Sequence, residues 1–70
     1  MMIPETYQQW YHCITVECGI PMTREYVTRR LAVLRDPASE ETTRFQRLYG
    51  KTHWRFVVDC FERAGREVVT

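Results

Sequence analysis

Between Phe45 and Phe61 the chain reads FQRLYGKTHWRFVVDCF, and the spacing of its apolar residues admits helices and little else. Phe45, Leu48 and Tyr49 recur at helical intervals before Gly50, and Trp54, Val57, Val58 and Phe61 follow i, i+3, i+4, i+7 after it. The lone glycine between the two runs predicts a helical hairpin. Gly50 is then the residue just past the earlier helix, where a left-handed backbone costs a glycine little. Thr52 is the expected cap of the following helix and Gly65 its stop, giving a span of 52–64.

The same reading extends upstream. Pro4 suits a first helical turn, with Glu5 near the positive end of the dipole. Tyr7, Trp10, Tyr11, Ile14 and Cys18 make one stripe, and Gly19-Ile20-Pro21 turns the chain, so the first helix is expected over 4–18. Thr23 caps a second helix over 23–35, carrying Val27, Leu31 and Leu34 with Tyr26 beside them, and Asp36-Pro37 ends it. A third helix over 39–49 starts at Asp36 or Ser39, has Glu40 and Glu41 in its first turn, and has Phe45, Leu48 and Tyr49 as its core face. No run alternates with hairpin turn chemistry, so strands are not expected. The tail REVVT is expected to fray, with Val68-Val69 as a short strand or a return onto the bundle as alternatives. The expectation is therefore an all-α fold, a compact bundle of four short helices forming a single domain over residues 1–70.

The last helix carries Phe56 and Cys60 on the flanks of its stripe. That arc is wider than packing against one neighbour requires. It predicts a central helix, or one half-covered by another subunit. With 70 residues the chain buries only about 60% of its unfolded surface, so a partner would add useful burial.

Net charge is +1, too small for a strong non-specific polyanion binder, yet the positive charge is unevenly placed. Arg24, Arg29, Arg30 and Arg35 stand in 20–35 against Glu25 alone, and Arg44, Arg47, Lys51 and Arg55 occupy 44–55 with no acid. Arginine suits bidentate recognition of carboxylate or phosphate, although an arginine-rich codon bias yields the same count. Apolar runs are too short for a membrane span, and the first residues lack the basic start and apolar middle of a secretory signal, which makes the cytoplasm the expected location.

Catalytic and metal chemistry find little footing. Cys13, Cys18 and Cys60 are odd in number and are expected to be reduced thiols. His12 and His53 complete a soft ligand set, but no CxxC or HxxxH pair exists, and residues 13 and 18 would point well apart on an α-helix. No metal or other cofactor is expected. Cys60 with His12 or His53 lacks the third, orienting group that an activated nucleophile needs. The three glycines stand alone, so no phosphate loop is present. A small-molecule substrate and an enzyme activity are not expected.

The function read from these residues is that of a small non-catalytic interaction protein, of the kind bacterial accessory factors represent. It would bind a protein partner, or itself as a homodimer, through Arg24, Arg29, Arg30, Arg35, Arg44, Arg47, Arg55 and Phe56. The alternative is a helix-turn-helix DNA-binding regulator. Its first helix would end at Gly19, and residues 23–35 would be the recognition helix, presenting Arg24, Thr28, Arg29 and Arg35. The hairpin around Gly50 is the poorer DNA candidate, because Lys51 falls at an interior turn position, Asp59 would face the groove, and the helix is too apolar.

Overall fold

A computed structural model describes residues 4–67. It contains α1 (Tyr7–His12), a π-helical turn (Cys13–Glu17), α2 (Arg24–Leu34), α3 (Glu40–Tyr49) and α4 (Lys51–Glu67), with no strand among the described residues. The all-α expectation is met. The alternatives for Val68-Val69 lie outside the described residues.

Three helix starts share one device. The side-chain oxygens of Thr6, Thr23 and Ser39 accept from the backbone N–H of Gln9, Tyr26 and Thr42 respectively. Each satisfies one of the orphan donors of a first turn, worth about 1 kcal/mol. Thr23 and Ser39 are the expected caps. Pro4 is not in a helical turn as expected. Thr6 holds an extended backbone and α1 begins after it, with Gln9 Oε1 also accepting from the Glu5 N–H at 2.8 Å. This is the Thr-x-x-Gln capping pattern, shifted one residue outward.

The first helix does not run unbroken to 18. After His12 the backbone widens, and the Cys18 N–H donates to the Cys13 carbonyl at 2.9 Å, an i→i+5 bond. The sequence reason is local. Ile14, Thr15 and Val16 are consecutive β-branched residues, each restricted at χ1 in an α-helix. The Thr15 hydroxyl also donates to the Tyr11 carbonyl at 2.7 Å, a back-bond that distorts helices. Gly19 (φ 68°) then closes the segment, with the Ile20 N–H reaching back to the Ile14 carbonyl at 3.0 Å. The changed pitch turns the stripe: Trp10 is buried, Tyr7 and Ile14 are partly buried, and Tyr11 and Cys18 face solvent.

The hairpin glycine has positive φ, as expected, but not the left-handed helical shape. At φ 89° and ψ 160°, Gly50 occupies a region open in practice only to glycine. Its N–H bonds to the Gln46 carbonyl at 2.8 Å and its own carbonyl accepts from the Trp54 N–H at 3.1 Å. One residue thus ends α3 and starts α4, leaving Thr52 inside the first turn and not at the cap. Gly65 does not stop α4 either. The helix passes through it to Glu67, and a Cβ built there would lie 3.1 Å from Val27 Cγ1. Gly65 is the point of close approach between α2 and α4.

The wide apolar arc of α4 is accounted for within one chain. It packs against α1, α2 and α3, and it supplies Val57, Val58, Cys60, Phe61 and Ala64 to a core completed by Trp10, Val27 and Leu34. Trp10 meets Phe61 edge-on at 4.7 Å between centroids. Tyr7, Arg63 and Glu67 close the far end: the Arg63 guanidinium lies 4.0 Å over the Tyr7 ring and its Nε bonds Glu67 at 3.0 Å.

Candidate interaction surface

The arginines grouped by sequence divide into two structural classes. Arg30 pairs with Glu41 and so ties α2 to α3; Arg35 pairs with Glu62 and ties α2 to α4. The hydrogen bond from Arg30 holds the Glu41 carboxyl below its usual range. Arg55 pairs with Asp59 one turn on, at 3.4 Å. These three are engaged within the fold. Arg24, Arg29, Arg44 and Arg47 are exposed and form no ion pair with a described residue. Arg29 stands 6.0 Å from the Tyr26 ring centre.

Phe56 is partly buried and belongs to an aromatic column on the α3–α4 hairpin. The His53 ring stacks between Phe45 (centroids 5.7 Å, planes 5° apart) and Phe56 (5.6 Å, 26°), and Tyr49 leans on both Phe45 and His53 at 5.0 and 5.8 Å. On the inner side Phe45, Tyr49 and His53, but not Phe56, help line an apolar cavity of about 430 Å³, reached also by Trp10, Tyr26, Leu34 and Arg30. The only cation in its wall is already matched by Glu41.

Residues Leu48 and Tyr49 do not form the core face of α3. Leu48 is 66% exposed and Tyr49 49% exposed, whereas Thr42 is the buried residue of this helix, 2% exposed. The Thr42 hydroxyl donates to the Val33 carbonyl at 2.6 Å, and that bond rotates α3 so that its polar Thr42 edge meets the end of α2. Leu48 is consequently presented to water one turn beyond Arg44, with Arg47 before it and Lys51 just past Gly50. None of these three cations pairs with a described acid. The sequence reading placed Leu48 and Tyr49 in the core and Lys51 in the basic block, and gave none of the three a partner-binding role. The available signal was the Arg44–Leu48 spacing of four, which puts a leucine beside a cation on an outer face.

No group of three or more metal-ligating side chains occurs among the described residues. Cys60 is buried against the core, and burial pushes its thiol up to about 11, so it stays uncharged at neutral pH. No protein-family model, curated protein or solved structure matches this chain.

Proposed function

We propose that this chain is a non-catalytic interaction protein that docks an acidic segment of a partner protein on the outer face of the α3–α4 hairpin. The observation that carries this reading is the exposure of Leu48 and Tyr49 amid the unpaired Arg44, Arg47 and Lys51. Apolar anchors ringed by cations are the composition of a protein-binding patch. A second copy of the chain is the weaker occupant, because a two-fold interface would set each cation of the patch against its own copy.

Double-stranded DNA would match the charge but has no use for a central leucine. The helix-turn-helix alternative also needs its first helix braced across its second. Here α1 packs on α4, and no close backbone contact joins it to α2 among the described residues.

The test uses three probes: a glutamate-rich amphipathic helical peptide with leucine and tryptophan anchors, the same peptide with lysine for glutamate, and a DNA duplex. The expected result is binding of the acidic peptide alone, weakened about tenfold or more by Leu48→Ser and by Arg44→Glu, the loss of one good contact each. Binding of the duplex with a steep salt dependence and no effect of Leu48→Ser overturns it in favour of nucleic acid. Concentration-dependent dimerisation abolished by Leu48→Ser overturns it in favour of self-association.

A further inference from the structure

Cys13 and Cys18 form a pair that an α-helix would forbid. Residues five apart on an ideal α-helix are rotated by about 140° and have Cα atoms about 8.7 Å apart, beyond disulfide reach. The π-helical turn shortens that separation: its i→i+5 bond, from the Cys18 N–H to the Cys13 carbonyl at 2.9 Å, brings residue 18 to within one turn of residue 13. Both thiols are free, Cys18 exposed and Cys13 partly covered, while the third thiol, Cys60, is buried on α4.

We propose that the π-helical turn is a dithiol oxidation site, at which a low-molecular-weight disulfide links Cys13 to Cys18. With a disulfide oxidant, the exposed Cys18 thiolate attacks one sulfur, forming a mixed disulfide and releasing the first small thiol. Cys13, having lost its proton to solvent, then attacks Cys18 Sγ, breaking the mixed bond and releasing the second. The protein loses two electrons and two protons, and the oxidant is reduced to two thiols. Burial, with Cys18 and Glu17 nearby, raises the Cys13 pKa, which suits the partly covered residue to the second, resolving role. Cys13 shares a cavity wall with Tyr49, whereas Leu48 and the cations of the docking face lie outside it.

The test equilibrates the folded 70-residue chain with reduced and oxidised glutathione, then counts thiols and maps linkages by mass spectrometry. Expected are the loss of two of the three thiols, a Cys13–Cys18 link, survival of Cys60, and no retained glutathione. Cys13→Ser should instead accumulate glutathione on Cys18. The effective concentration of the pair should be at least about tenfold higher in the folded chain than in urea, since the fold and not mere proximity in sequence aligns the sulfurs. A stable glutathione adduct on Cys18 with Cys13 still free overturns the proposal. So does a link through Cys60 or between chains, or an equal effective concentration in urea.

Discussion

The indole Nε1 of Trp54 donates to the carbonyl oxygen of Leu34 at 3.0 Å, joining the first turn of α4 to the last turn of α2. The carbonyl of Val33, one residue earlier, accepts from Thr42 of α3. Side chains from the two helices that follow α2 thus bond two carbonyls of its last turn, that of Val33 in addition to the Asp36 N–H at 3.2 Å. Arg30 and Arg35 reinforce the same end electrostatically.

Trp54→Phe keeps most of the ring and deletes the donor. It should cost about 1–2 kcal/mol in urea unfolding, the range for a carbonyl left unpaired in a partly buried place. Trp54→Ala should cost more, about 2–4 kcal/mol, because packing is lost as well. Equal stability of Trp54→Phe and the parent chain would show that the bond to Leu34 contributes nothing.

The two positive-φ glycines should respond differently to asparagine. Gly19 has φ 68°, close to the left-handed value that asparagine tolerates, so Gly19→Asn should be cheaper than Gly19→Ala. Gly50 lies outside that region, and nothing lies within 4 Å of a Cβ there, so the penalty is purely conformational. Gly50→Asn and Gly50→Ala should both lose about 1–3 kcal/mol, measured by thermal melting. Rescue by asparagine at position 50 would contradict the backbone geometry.

At Gly65 two effects oppose each other. Alanine improves helix propensity by about 1 kcal/mol, while its Cβ crowds Val27 Cγ1. Gly65→Ala should therefore change stability little in the parent. In a Val27→Ala background, where the obstructing methyl is gone, the same change should be stabilising. A double-mutant cycle reads this coupling, and additivity of the two substitutions refutes the close approach.

Leu48→Ser should leave stability within about 0.5 kcal/mol of the parent, as exposed positions do, whereas Tyr49→Ser should cost more, because its half-exposed ring packs on Phe45 and His53. A loss above about 2 kcal/mol for Leu48→Ser in chemical denaturation would return that side chain to the core.

The Arg30–Glu41 pair gives a pH dependence of known sign. The Glu41 carboxyl is held below its ordinary 4.5 in the folded state, so its contribution is present above that value and fades as pH falls through the lower folded pKa. The Glu41 side chain is half exposed, so solvent screening keeps the effect small, under about 1 kcal/mol. Glu41→Gln should be less stable than the parent at pH 7 and converge with it as the pH falls towards and below the depressed pKa. A stability gap that persists at acid pH would assign the loss to something other than charge.

The helical class, the caps at Thr23 and Ser39, the central place of α4 and the need for glycine at 50 were all legible in sequence, because each follows from local spacing or local backbone chemistry. Position 65 was not: a glycine near a helix end reads as a stop, and only the neighbouring Val27 shows that it is a contact. Periodicity likewise put Leu48 and Tyr49 inside, since it identifies an apolar face without saying which neighbour covers it. The Thr42–Val33 bond, a contact between helices, sets the Thr42 edge of α3 against α2 and leaves Leu48 facing water, while Tyr49 stays half-covered by Phe45 and His53. Arginine clustering marked a charged region, but only the folded chain separates Arg30 and Arg35, which hold helices together, from Arg44 and Arg47, which are exposed and form no ion pair with a described residue. Sequence alone determined which segments become helices, because hydrogen bonding and side-chain entropy act over a few residues. Tertiary packing decided which faces are covered, because burial depends on elements far apart in the chain.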